Sequence, residues 1–153
     1  GLVGSEMCIR DRHFIFNDGF CHVHKSIHSE DVKKAKELHP DALVLAHPEC
    51  TSDTLALADF IGSTSQIIDY ATASDSKKFL ICTEMGVFYE LMQKNPDKKF
   101  FSVGHRQFCP NMKKVSLDKV LEKLEDLKDE VILPEEMCEQ AKKPLDEMLR
   151  LAQ

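Results

Sequence analysis

Short apolar runs of strand length recur along this chain with helically spaced stretches between them, and that alternation constrains the fold more than any other feature. Ala42-Leu43-Val44-Leu45-Ala46 and Phe79-Leu80-Ile81-Cys82 are continuously apolar, as strands buried on both faces are. Phe14-Ile15-Phe16 reads as the end of an earlier strand, Phe60-Ile61 as a brief one and Phe100-Phe101-Ser102-Val103 as the last. Ser29 is expected to cap a helix with Glu30 and Asp31 in its first turn, running to about His39 before Pro40 stops it. Thr51 or Ser52 opens a short helix bearing Leu55 and Leu57. Ser63-Thr64-Ser65 caps another, with Ile67, Ile68, Tyr70 and Ala71, and a third runs from about Met85 to Lys94, stopped at Asn95-Pro96. The pattern predicts the α/β class: a three-layer α/β/α sandwich with a parallel sheet and right-handed crossovers.

The two ends depart from this pattern. Ser116 is expected to cap a helix carrying Val120, Leu121, Leu124 and Leu127, and Pro134-Glu135-Glu136 to start another that Pro144 breaks or kinks. The apolar faces of these C-terminal helices need a partner beyond the sheet. At the other end, Gly1 to Arg12 resembles the translated remnant of a sequencing adapter and has no clear periodicity. Residues 1–12, Cys8 included, are therefore expected to be foreign to the fold, with the natural N-terminal part missing.

Composition excludes some classes. A length of 153 residues, 42% hydrophobic and 30% charged, suits one domain and a little more. With 20 basic against 26 acidic residues, a net charge of -6 and no tryptophan, a nucleic-acid surface has little support. No apolar run approaches the roughly 20 residues that span a bilayer, and no secretory signal is seen, so no membrane partner and a cytoplasmic location are expected. The cysteines stand singly at Cys8, Cys21, Cys50, Cys82, Cys109 and Cys138, a dispersal that favours reduced thiols or metal ligation over disulfides.

A parallel sheet presents the carboxyl ends of its strands along one edge, where helix N-termini favour anions. Cys21 follows the first strand, His47 and Glu49 the second, Ser63 and Thr64 the third, Thr83 and Glu84 the fourth, and Cys109 the last. Singly, each has a plainer reading: His47-Pro48-Glu49 as a turn, Ser63 and Thr64 as helix caps, Cys50 as a small buried thiol. His22, His28, His39 and His105 read as surface or turn histidines, Lys113-Lys114 as a solvated pair, and the stripe from Val120 to Leu127 as core. The convergence at one edge is what favours a functional reading.

Gly19-Phe20-Cys21-His22-Val23-His24, His47-Pro48-Glu49-Cys50, Gly62-Ser63-Thr64-Ser65, Thr83-Glu84-Met85-Gly86 and Cys109-Pro110-Asn111-Met112-Lys113 resemble, in order, the signatures of the quinolinate synthase family, across His13 to Gln153. The resemblance implies one repeat of a pseudo-threefold protein of three α/β/α domains, each giving one cysteine to a [4Fe-4S] cluster. Residues 13–21 would end the second domain, 22–109 form the third, and 110–153 form helices packing on the first. Cys21 and Cys109 would be two of the three cluster ligands, the third lying outside this chain, and Cys50 would not be a ligand.

The family is a transferase of de novo NAD biosynthesis that condenses iminoaspartate with dihydroxyacetone phosphate to quinolinate. The resemblance thus implies those two small-molecule partners and transfer of iminoaspartate from an L-aspartate oxidase or dehydrogenase. Glu49 would be the acid or base, with His47 beside it. His47, Pro48, Glu49 and His24 would line the substrate pocket, with Thr83 and Glu84 in its wall. Ser63 and Thr64 would hold phosphate or carboxylate at a helix start, and Met112 would pack over the cluster. Gln66 and Cys82 stand where the family has glycines; Cys82 would bring a thiol near the pocket. This chain alone would be inactive. The competing expectation is a zinc-binding or structural α/β module using Cys21, His24, His47 and Cys109.

Overall fold

The computed structural model describes residues 19–104, 107–127 and 130–152; the expectations for residues 1–12, for Phe14-Ile15-Phe16 and for His105 fall outside them. The chain divides into two units, Gly1–Pro110 and Asn111–Gln153.

In the first unit, four strands are built from the apolar runs: β1 Leu43–Ala46, β2 Phe60–Ile61, β3 Lys78–Cys82 and β4 Lys99–Ser102. They form a parallel sheet in the order β2-β1-β3-β4. The helices are α1 His22–Lys25, α2 Ser29–Leu38, α3 Ser52–Leu55, α4 Thr64–Ala73 and α5 Val87–Lys94. Side chains alternate across a strand, so β1 and β3 feed two cores. Val44, Ala46, Leu80 and Cys82 pack with Ile27, Val32, Ala35 and Val103 on one face. Leu45, Phe79 and Ile81 pack with Ile67, Ile68, Ala71, Val87 and Leu91 on the other. The three-layer α/β/α sandwich follows, and its double burial explains why β1 and β3 read as unbroken apolar runs.

One local detail differs from expectation. The cap of α2 is His28, and Ser29 is its first residue: the Ser29 hydroxyl donates to Asp53 Oδ2 at 2.7 Å and so is engaged elsewhere. By contrast α4 ends on a cation, Lys98 Nζ donating to the carbonyls of Ala71, Thr72 and Ser74 at 2.6, 3.1 and 2.7 Å, which satisfies the orphan acceptors of that terminus.

The second unit holds a 3-10 turn, Met112–Lys114, then α6 Leu117–Asp126 and α7 Glu135–Leu151. Helix α7 runs on through Pro144 instead of ending there; proline removes one backbone donor, and the rest of the ladder continues. None of the described residues of this unit is buried: Val120, Leu121 and Leu124 of α6 and Leu145, Met148 and Leu149 of α7 are exposed, so the expected core role of the Val120–Leu127 stripe is not fulfilled within this unit. No helix among the described residues is long and apolar enough to cross a membrane.

Candidate active site at the carboxyl edge of the sheet

Cys21 is the N-cap of α1, and its carbonyl accepts from Lys25 N at 3.0 Å. That single turn sends Val23 and His24 inward, where both are buried, and leaves His22 exposed. Residues three apart on a helical turn share a face, so Cys21 and His24 are neighbours by backbone geometry alone.

His24 meets three partners. Its Nδ1 lies 2.9 Å from Glu49 Oε2 and its Nε2 lies 2.9 Å from Thr83 Oγ1. A carboxylate accepts, which puts the proton on Nδ1 and leaves Nε2 to accept from the Thr83 hydroxyl. Its third partner is the His47 ring, stacked at a centroid distance of 4.2 Å. His47 continues the β1–β3 ladder beyond the strand, its N–H donating to Cys82 O at 3.2 Å, and its carbonyl accepts from Cys50 N at 3.0 Å. His47-Pro48-Glu49-Cys50 is thus a turn, and the same turn swings Glu49 back toward both imidazoles. Glu49 N donates to His47 Nδ1 at 3.3 Å, so His47 presents an acceptor there. Burial, reinforced by the adjacent His24 and opposed by Glu49, holds the His47 imidazole below its ordinary value. Sγ of Cys21, a ring nitrogen of His24 and a carboxylate oxygen of Glu49 all lie within 4.8 Å of one another.

The end of β3 is tied to the loop that carries Cys109. Glu84 Oε2 accepts from Gly86 N at 2.6 Å and Oε1 accepts from Cys109 N at 3.1 Å. Gln107, buried and unremarkable in sequence, does more. Its Nε2 donates to Ile81 O and Thr83 O at 2.6 and 2.7 Å, its Oε1 accepts from Val103 N at 2.8 Å, and its carbonyl accepts from Met85 N at 2.8 Å. One amide side chain thereby closes the ladder where β3 and β4 run out. No sequence pattern singles it out, because an isolated glutamine between a turn and a cysteine has no periodicity.

At the end of β2, Gly62 N donates to Ala46 O at 3.1 Å, which sets Ser63 and Thr64 on the same edge. Gly62 is needed there: a Cβ would come within 2.7 Å of the Phe60 ring and 2.9 Å of Gln66 Cβ. Ser63 and Gln66 form a reciprocal capping box on α4, Gln66 Oε1 accepting from Ser63 N at 2.8 Å and Ser63 Oγ from Gln66 N at 3.4 Å. That gives Gln66 a structural reason.

Among the described residues, Cys21, Cys50, Cys82, Cys109 and Cys138 are all free thiols. Cys50 donates to Cys82 O at 3.4 Å and burial pushes its thiol up to about 11. Cys82 is fully buried in the same core, its thiol also pushed up by burial; the alternation of β3 turns it inward beside Leu80. Cys21 is half-buried and Cys109 buried. Neither Cys109 nor His47 joins the Cys21–His24–Glu49 group within its 4.8 Å span, although His47 stacks on His24 and its Nδ1 lies 3.6 Å from Glu49 Oε2, so the four-ligand set expected for zinc is not gathered together. Met112 lies in the second unit, exposed. A cleft of about 610 Å3 lies elsewhere, beside β4, lined by Ile27, Asp31, Lys34 and Val103 among others.

With this geometry in view, the similarity to known proteins is informative. The family model described as "Quinolinate synthetase A protein" matches residues 5–150. The quinolinate synthase of Caldicellulosiruptor bescii is 49% identical over 143 residues, covering 94% of this chain and 47% of that protein. That of Caldicellulosiruptor saccharolyticus is 48% identical over 144 residues, 94% of this chain and 48% of that one. "Quinolinate synthase 2" of Methanosarcina acetivorans is 44% identical over 142 residues, 93% and 46% respectively. The chain spans about half the length of the curated relatives it matches. It belongs to the quinolinate synthetase A protein family.

Proposed function

We propose that this chain supplies the third domain and C-terminal helices of a cytoplasmic quinolinate synthase, a transferase of NAD biosynthesis that condenses iminoaspartate with dihydroxyacetone phosphate, with loss of phosphate and water. The observation that carries the reading is Glu49 held between His24 and His47 beside the Cys21 thiol, in a chain of this family. Cys21 and Cys109 would hold two corners of a [4Fe-4S] cluster: both are free thiols at the edge where strands end, and thiolates are what such clusters take. Cys50 and Cys82, committed to the core, do not fit that role, and by the family resemblance the third ligand would lie outside this chain. When bound through three cysteines, the cluster supplies an iron with an open position that acts as a Lewis acid.

The chain's own residues do the rest. Glu49, half exposed, moves protons at its carboxylate, and His24 orients it through the bond from Nδ1. His47, kept neutral by burial, offers an unprotonated nitrogen in the same pocket. Pro48 fixes the turn between them. Ser63 and Thr64, at the start of the ten-residue helix α4, hold phosphate or carboxylate with backbone N–H groups behind them. Residues 13–21 would close the second domain of the whole protein, residues 22–109 form the third, and the exposed apolar faces of α6 and α7 would pack on the first. Iminoaspartate would come from an L-aspartate oxidase or dehydrogenase.

The test is to recover the longer protein, purify it without oxygen and measure iron, sulfide and quinolinate formation. Expected are about four irons per chain and a product that Glu49→Gln abolishes while iron content stays. A colourless protein with no quinolinate formed would sink the reading.

A further inference from the structure

We propose that Cys21, His24 and Glu49 also form a site for one divalent transition-metal ion of the zinc or ferrous class, which shares Cys21 with the cluster site proposed above and takes its other ligands from outside it. Their ligand atoms lie within 4.8 Å of one another. Zinc bonds to sulfur, imidazole and carboxylate are about 2.0–2.3 Å long, which separates neighbouring ligands of a tetrahedral ion by roughly 3.3–3.8 Å. Small side-chain shifts therefore close the site. A thiolate, an imidazole and a carboxylate are all accepted ligand types for such ions, and three protein ligands leave a fourth position open, as in catalytic rather than structural zinc sites.

Two observations separate this from a chance meeting of side chains. Cys21 and His24 are fixed on one helical turn, so two of the ligands need no long-range contact to face the same way. And His24 is held from behind: its ring is buried and Nε2 is bonded to Thr83 Oγ1 at 2.9 Å, the kind of outer partner that orients a metal-binding imidazole.

Thr83 is suited to this because a hydroxyl both donates and accepts. With the proton on Nδ1, shared with Glu49, Thr83 donates to Nε2. With an ion on Nδ1, the proton sits on Nε2 and Thr83 accepts it. No proton is then lost from His24, and one, from the Cys21 thiol, leaves to solvent for each ion bound. Thiolate and carboxylate together balance the dipositive charge. His47 stays outside this set, its Nδ1 accepting from Glu49 N. On the cluster reading, an ion here occupies a thiolate the cluster needs, so zinc loaded first blocks iron–sulfur assembly.

The test is cobalt(II) added to the reduced, metal-free 153-residue chain. One ion per chain should bind, with a thiolate-to-cobalt charge-transfer band in the near ultraviolet and the visible bands of a tetrahedral site. Cys21→Ser should abolish the charge-transfer band, and Cys109→Ser and Cys138→Ser should retain it. Thr83→Val should weaken binding about 10–100-fold, the usual effect of removing an outer partner, and Thr83→Ser should restore it. Circular dichroism of each variant reports whether it folds. No cobalt band in the unmodified chain, or equal loss in Cys109→Ser, would overturn the proposal. Cluster assembly is scored separately, by iron and sulfide in the longer protein, so either reading can fail while the other stands.

Discussion

The imidazoles of His24 and His47 stack with their centroids 4.2 Å apart and their planes 6° from parallel, and Glu49 Oε2 lies 2.9 Å from one Nδ1 and 3.6 Å from the other. Stacked rings this close resist carrying two positive charges. In the metal-free chain, His47 should titrate below 6.5 by NMR, and Glu49→Gln should lower it further by removing the one charge that raises it. The unfolded chain takes up this proton at higher pH than the folded one, so stability should fall as pH drops from about 6.5 through the lower native value. His47→Gln should flatten that slope. A His47 midpoint at or above 6.5 would contradict the assignment.

Gln107 satisfies Val103 N–H and the carbonyls of Ile81 and Thr83 from a buried position. Leaving such groups unpaired costs about 1–3 kcal/mol each when nothing relaxes, so Gln107→Leu should lose roughly 2–4 kcal/mol in urea unfolding. A loss below about 1 kcal/mol would show that water takes over these bonds.

The Gly62 and Gln66 pair makes opposite demands on size. Gly62→Ala sets a methyl against Phe60 and the backbone-proximal Gln66 Cβ and should cost about 1–3 kcal/mol by overpacking. Gln66→Gly, the residue that the family resemblance implies at this position, should cost about 1–2 kcal/mol from the lost capping box and helix propensity. Thermal melts of both variants decide this, and an unchanged Gln66→Gly melt would rule out the capping box.

Thiol reactivity should divide by burial. Iodoacetamide at pH 8 should label the exposed Cys138 first, and leave Cys50, pushed up to about 11, and the fully buried Cys82 unmodified until denaturant is added. Mass spectrometry of the labelled chain reads this directly, and equal rates at Cys50 and Cys138 would refute the packing described.

The alternation of strands and helices was legible because β1 and β3 are buried on both faces and, apart from Lys78 at the start of β3, carry no polar positions to blur them. The convergence of Glu49, His24 and Thr83 on one edge follows from parallel order. Other features depended on partners distant in sequence. Ser29 looks like a cap until Asp53 claims its hydroxyl. Cys82 looks like a pocket residue until the register of β3 turns it beside Leu80. Ser63-x-x-Gln66 has the spacing of a capping box, a signal present in the sequence that the expectation of a Ser63-Thr64-Ser65 cap did not draw on. Gln107 had no signal at all, since its meaning lies in the gap it fills between β3 and β4.

The bond from His47 N to Cys82 O makes the order of events at this edge predictable. Cys21 and His24 come together as soon as one helical turn forms, but Glu49 and Thr83 reach His24 only after loops of 25 and 59 residues have closed. Closing such loops precedes any reward from the contacts they bring. Any ion or cluster bound here would therefore arrive as a passenger on a sheet already zipped together, in contrast to small zinc domains whose metal is the template for folding.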